Sequence, residues 1–189
     1  TGETRSASRS VQAGYTALSA TITADAWQTP EKPVTWTVAT ASLDGEPQSA
    51  AGTVKVSTLK QPEHVVRPEL AEAIRYDYWW FRRNVGPNAE PKPDPANPDS
   101  WEPGEVVTVQ PFKTDETGQA KLDTPLPAGI YRAMVETKDR FGKAVTARQT
   151  LQVVDTNRTT YPVRLAHHFS APKWSLEPGE RFTALWGTG

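Results

Sequence analysis

The sequence predicts an all-β protein that folds as an antiparallel sandwich of two sheets. Apolar and polar residues alternate with a period of two in several short runs, and pairs or triplets that contain glycine separate these runs. The 189 residues also include 17 prolines, which long helices do not tolerate. Since alternation gives each strand one apolar face, a second sheet is needed to cover the faces of the first.

Three strands are predicted in the first sixty residues. Apolar side chains alternate with polar ones at 18–22 and again at 34–38. Asp44-Gly45 tolerates positive φ, so it predicts a tight hairpin turn into a third strand that contains Val54 and Val56. The pattern therefore favours a meander of neighbouring strands at this end of the chain.

Four more strands are predicted in the second half, separated by turns at 115–118, 127–129 and 139–142. They are Val107–Val109, Ala120–Leu122, Tyr131–Val135 and Val145–Val153. About seven strands at this spacing are typical of an immunoglobulin- or fibronectin-like sandwich. We expect five residues in its core and three glycines in its turns: Trp36, Val54, Tyr131, Val135 and Val153, with Gly45, Gly129 and Gly142.

The pattern breaks between residues 63 and 104, which we interpret as an irregular insertion rich in proline and aromatic residues. Residues 68–78 have apolar side chains at four-residue spacing after Pro68, which favours two or three helical turns. Residues 87–103 contain six prolines and favour extended backbone.

The sequence divides into three parts. Residues 1–10 form a disordered or linking start, 11–155 form the sandwich with its insertion at 63–104, and 156–189 contain a linker and the first strands of a second β domain. A new alternation through Val163, Leu165, His167 and Phe169 predicts the last part.

Composition excludes several classes of partner and site. Lysine and arginine (21) nearly balance aspartate and glutamate (22), so we expect no nucleic-acid partner. No cysteine is present to form a disulfide, a thiolate metal site or a nucleophile. No run of about 18 apolar residues occurs, so the chain has no predicted membrane span. The absence of cysteine permits the cytosol as readily as the bacterial periplasm, so composition does not decide the compartment.

No catalytic, cofactor or metal site is predicted. His167 and His168 are adjacent and point to opposite faces of a strand, so one ion does not easily bind both. The serines form no Gly-x-Ser-x-Gly motif, and nothing distinguishes Asp77, Glu116 and Glu136 from solvated charges.

Two further short patterns are weak indicators of a calcium site and of a glycosylation site. Asp94, Asn97 and Asp99 lack the glycine and terminal glutamate of a calcium loop. Asn157-Arg158-Thr159 is a glycosylation sequon, which matters only in a eukaryotic secretory pathway.

Residues 76–83 contain five aromatic rings and two arginines. One interpretation is that these rings fold back and cover the sandwich or pack on Trp101. The other is an exposed docking surface for a partner domain or a sugar, because aromatic and arginine side chains dominate binding hot spots. The residues we single out as a candidate partner-binding site are Tyr78, Trp79, Trp80 and Arg82.

Several longer motifs resemble the macroglobulin-type β-sandwich domains of bacterial alpha-2-macroglobulin-like proteins. They are Leu43-Asp44-Gly45, Gly52 to Val56, Leu126 to Arg132, Thr137 to Lys143 and Val153-Val154-Asp155. Residues 171–187 resemble the start of a following domain of the same kind.

The resemblance implies a non-catalytic structural domain of a protease-trapping protein. It also implies a periplasmic, cell-envelope or extracellular location, with an export signal upstream of this chain. The partners of the domain would be the neighbouring domains of the parent chain and, through the full-length protein, proteases. The family usually also has a Cys-Gly-Glu-Gln thioester, which this cysteine-free chain lacks. A carbohydrate- or protein-binding module of a surface protein is the alternative, and a hydrolase is the least favoured hypothesis.

Overall fold

The computed structural model describes residues 14–68 and 94–189. Within these ranges it contains a short 3₁₀ helix, Pro98–Ser100, and nine strands. The strands are β1 (Ser19–Thr23), β2 (Val34–Ala41), β3 (Ala51–Leu59), β4 (Pro103–Lys113), β5 (Gln119–Thr124), β6 (Gly129–Lys138), β7 (Ala144–Val153), β8 (His168–Ser170) and β9 (Leu185–Gly187). The first seven form an antiparallel sandwich, which confirms the predicted all-β class.

Two sheets of different width form the sandwich. The three-stranded sheet has the order β1-β2-β5, and the four-stranded sheet has the order β4-β3-β6-β7. All pairs of neighbouring strands in the two sheets are antiparallel. In the four-stranded sheet Val54 lies opposite Val135, and in the three-stranded sheet Trp36 lies opposite Leu122.

The core lies between the two sheets. Because apolar and polar residues alternate along the strands, each strand turns one apolar face toward it. Trp36 is completely buried and is the largest side chain there. The five predicted core residues are all confirmed as buried members of one cluster. The cluster comprises Ile22, Val34, Trp36, Val38, Val54, Val56, Phe112, Leu126, Tyr131, Ala133, Val135, Leu151 and Val153.

The predicted hairpin between the second and third strands is wrong, because β2 and β3 lie in different sheets. Asp44-Gly45 does form a tight turn, in which the Gly45 amide donates to the Ser42 carbonyl at 3.0 Å and Gly45 has a φ of 87°. That turn folds the end of β2 back only as far as a bridge between Ala41 and Pro47. The chain then crosses to the other sheet, which places the apolar faces of β2 and β3 against each other.

Two further details also differ from the prediction. Val107 and Val109 are 42% and 56% exposed. The register places Val109 opposite Lys55 on the outer face of the sheet, whereas Thr108 and Gln110 lie opposite the core residues Val56 and Val54. Gly129 begins β6 without positive φ, so it is not a turn glycine of the kind expected. The β6–β7 hairpin at 139–142 is confirmed, with Gly142 at a φ of 80°.

Candidate binding site

A second hydrophobic cluster joins the segment after the sandwich to the sandwich itself. We call it the junction cluster; it consists of Leu59, Trp101, Ile130, Val163 and Leu165. Its first three residues belong to the sandwich or its insertion, and its last two come from the chain after β7. Val163 is 1% exposed and Leu165 is 8% exposed, so both are held as firmly as core residues.

Polar contacts reinforce the junction cluster. The Arg164 guanidinium donates to the carbonyl oxygens of Pro62 and Glu63, at 2.8 and 3.0 Å. The Arg164 amide donates to the side chain of Gln61 at 2.7 Å, and Val66 forms a parallel bridge with Leu165. Because these bonds join residues about a hundred positions apart, they fix the course of the chain where it leaves the sandwich.

The β8–β9 hairpin is attached to β7 through an aromatic pair. The Tyr161 hydroxyl donates to the side-chain oxygen of Gln152 on β7, and its ring stacks on His168 of β8 with the centroids 4.8 Å apart. Burial raises the pKa of Tyr161. Burial, together with the neighbouring charge of His167, lowers the pKa of His168, whose Nε2 lies 2.8 Å from the Ser170 hydroxyl.

A groove of about 430 Å³ lies between β7 and the β8–β9 hairpin. Residues 149–152 of the edge strand β7 form its floor, and the 3₁₀ helix with Asn97 forms one wall. The other wall is β8 with Trp174. Concave surfaces that combine apolar and polar groups are the usual sites for small ligands, so this groove is the candidate binding site.

Four aromatic side chains are exposed on and around the hairpin. Trp174 is 62% exposed and lies edge-on to Phe169, with ring centroids 5.5 Å apart; the ring of Phe182 follows at 6.3 Å. Trp186 is 71% exposed and lies directly opposite Phe169 in the β8–β9 ladder. Trp174 and Phe169 also line the groove, whereas Trp186 lines a separate cavity near residues 158–162.

The candidate partner-binding residues from the sequence, Tyr78, Trp79, Trp80 and Arg82, lie outside the described residues, as does most of the helix expected at 68–78. Their role stays a prediction. The sequence predicts the aromatic residues of the groove only as strand positions of a second β domain. The density of aromatic residues between 169 and 186 is the signal that could identify them as a site. That residues 156–189 begin a second domain also stays a prediction.

The polar candidates from the sequence form local contacts. The Asp94 carboxylate accepts from the Ala96 amide, and the Asn97 side chain caps the 3₁₀ helix by accepting from the Asp99 amide. Glu116 and Glu136 are exposed, on a turn and on β6 respectively, while Asp77 lies outside the described residues. Over 14–68 and 94–189, no group of three or more histidine or acidic side chains is arranged to hold a metal ion.

The fold and the groove define a β-sandwich module with a candidate ligand site. Within the described ranges, no helix is long and apolar enough to cross a membrane. Neither a protein-family model nor a curated protein matches the chain. Among solved structures, the chain is similar to Escherichia coli alpha-2-macroglobulin activated by porcine elastase, with 11% sequence identity and a TM-score of 0.42. The match covers 86% of this chain and 14% of that protein.

Proposed function

We propose that the chain is a non-catalytic structural module of an alpha-2-macroglobulin-like protein, in which it holds its neighbouring domains at a fixed orientation. The observation that carries this proposal is the junction cluster. A module that fixes the orientation of its neighbours needs a rigid connection between the sandwich and the segment that follows it. Here Val163 and Leu165 of that segment are buried against the sandwich. The sequence motifs at 43–56 and 126–143 support the family assignment.

The proposal also includes a role and a location for the parent protein. We propose that it traps proteases in the periplasm, the cell envelope or the extracellular space. Within that protein this chain would contribute rigidity, and any bait segment or thioester would lie in other domains. Inter-domain interfaces in general permit relative motion unless they are large and apolar, which is why a buried junction favours a scaffold role.

The first test measures the rigidity of the junction in the chain itself. We expect NMR relaxation to give one rotational correlation time for the sandwich and the β8–β9 hairpin. The Leu165→Ala variant removes a buried side chain of the junction cluster at a cost of about 2–5 kcal/mol and should let the hairpin move independently. Thr160→Ala, at an exposed position of the same segment, is the matched control. A hairpin that already moves independently in the unmodified chain would contradict the proposal.

The second test measures function in the full-length parent protein. Capture of a protease is read as loss of its activity on a large protein substrate. We expect Leu165→Ala to weaken capture and Thr160→Ala to leave it unchanged. Capture that survives a demonstrably loosened junction would refute the scaffold role, even if the parent protein proved to be a trap.

A further inference from the structure

We infer that the groove between β7 and the β8–β9 hairpin is a binding site for a neutral oligosaccharide. This inference is independent of the scaffold role, because it depends on the chemistry of the groove and not on the rigidity of the junction. Five side chains carry the argument: Asn97, Asp99, Gln152, His168 and Trp174.

The aromatic wall supplies an apolar platform. Trp174 lines the groove and is 62% exposed, although an indole normally gains by burying its large ring. One face of a pyranose ring presents C–H groups that pack flat on such a ring, while the hydroxyls at its rim stay free for hydrogen bonds. Phe169, which touches Trp174 edge-on, supports the ring from the side.

The floor and the opposite wall supply hydrogen-bonding groups. Asn97 and Gln152 are amides whose oxygens already accept, from the Asp99 amide and from the Tyr161 hydroxyl respectively, so their NH2 groups remain to donate to ligand hydroxyls. The Asp99 carboxylate adds a strong acceptor on the 3₁₀ helix. These groups come from two parts of the chain some fifty residues apart and face one groove.

The charge of the groove restricts the ligand class. Of the described residues, no lysine or arginine lines it, and the only carboxylate is Asp99. Phosphate, sulfate and acidic sugars would therefore meet one negative charge without a compensating cation. Burial lowers the pKa of His168, so the imidazole is neutral near pH 7 and adds no positive charge.

The inference is tested by titrating the purified 189-residue chain with four neutral probes, maltotetraose, cellotetraose, mannotetraose and chitotetraose. We expect at least one to bind with a dissociation constant below about 1 mM, measured by calorimetry and by tryptophan fluorescence. If all four probes fail to bind, the inference is overturned. It is also overturned if an extended six-residue peptide binds along β7 and the sugars do not.

Variants then locate the site. Trp174→Ala and Asp99→Ala should each weaken the binding of the sugar by about tenfold or more. Trp186→Ala, an equally exposed tryptophan outside the groove, is the matched control and should leave the affinity unchanged. Thermal unfolding checks that each variant is folded. A sugar that binds equally well to folded Trp174→Ala protein, or is lost in Trp186→Ala instead, places binding elsewhere and overturns the inference.

Discussion

The Tyr131 hydroxyl donates a hydrogen bond of 2.9 Å to the carbonyl oxygen of Pro127, four residues earlier. This bond closes the corner where the chain leaves β5 and enters β6, so it ties the connection between the two sheets to the core. Gly129 lies between the two residues, and a Cβ there would come within 3.1 Å of the Tyr131 hydroxyl. A glycine at the start of β6 therefore makes room for the bond. A tyrosine at the start of a strand that bonds back in this way is a known feature of immunoglobulin-like sandwiches.

The first prediction separates this hydrogen bond from the packing of the ring. Tyr131→Phe keeps the ring and should lower the free energy of unfolding by about 0.5–1.5 kcal/mol. Tyr131→Ala also empties part of the core and should cost about 3–5 kcal/mol. Chemical denaturation measures both values. Equal losses for the two variants would show that the ring contributes little to the core.

The strands and core were predictable because period-two alternation is a local property. Trp36, Val54 and Val135 each lie in a short run whose polar neighbours point outward, so their burial follows from a few adjacent residues. The tyrosine motif at 126–131 is equally local. These features need no knowledge of which strands are neighbours.

Strand partners and the groove were not predictable, because they depend on residues far apart in sequence. The sequences of β2 and β3 show the same alternation whether the two strands pair in one sheet or face each other across the core. Alternation therefore does not reveal which strands are neighbours. Val109 points to solvent because the register of β4 against β3 places it opposite Lys55, on the outer face of the sheet. The groove combines Asn97, Gln152 and Trp174, and no short window of sequence contains all three.

The second prediction compares two glycines with similar backbone conformation and different surroundings. Gly118 has a φ of 71° and Gly142 a φ of 80°, so alanine at either position costs about 1–2 kcal/mol in backbone strain. At Gly118 the new Cβ would also overlap the carbonyl oxygen of Thr40, whereas at Gly142 nothing lies within 4 Å. Gly118→Ala should therefore be worse by about a further 1–3 kcal/mol.

Thermal or urea unfolding of the two variants tests this comparison. The turn at 115–118 is held against the end of β2, where the Thr40 amide donates to the Gly118 carbonyl at 2.8 Å. The backbone therefore cannot easily shift to remove the overlap between a Cβ at position 118 and the Thr40 carbonyl oxygen. Equal destabilisation of the two variants would contradict the prediction, because it would mean that the backbone around Gly118 moves enough to accommodate the new Cβ.

The third prediction concerns acid stability and Asp139. Its carboxylate accepts from the amide of Ala17, and also from the amides of Phe141 and Lys143 in the β6–β7 turn, all at 2.9 Å. These bonds, that from Ala17 above all, lower the pKa of Asp139 below the ordinary value of 3.8. A lowered pKa in the folded state stabilises the protein above pH 3.8, and this contribution is lost as the pH falls through the folded-state value.

Asp139→Asn tests the sign of this effect. Its melting temperature should be lower than that of the unmodified chain near about pH 6, and the difference should shrink as the pH falls through the folded-state pKa of Asp139. Differential scanning calorimetry at several pH values measures this. A difference that stays constant down to the lowest pH would mean that the ionised carboxylate contributes nothing beyond its hydrogen-bonding shape.

The fourth prediction concerns Arg132, a buried cation on β6 whose guanidinium donates to two carbonyl oxygens. The guanidinium donates to the carbonyl oxygen of Trp101 at 2.7 Å and to the carbonyl oxygen of Pro98 at 2.8 Å. These two hydrogen bonds hold the 3₁₀ helix against the four-stranded sheet. Burial, with a smaller effect of Arg148, lowers its pKa, but an arginine stays charged. Arg132→Lys keeps the charge and loses the planar fork that reaches both carbonyls at once.

We expect Arg132→Lys to cost about 1–3 kcal/mol and to speed amide exchange in residues 94–101 more than in the core strands. Arg148→Lys, at an exposed position of β7, is the matched control and should change neither quantity. Hydrogen exchange by mass spectrometry reads the two regions separately. Because Asn97 and Asp99 lie on the segment that Arg132 fastens, the loosened variant should also bind a groove ligand more weakly, whereas the control should bind it normally. Exchange that rises equally across the whole sandwich would mean that Arg132 supports the global fold and has no particular hold on the wall of the groove.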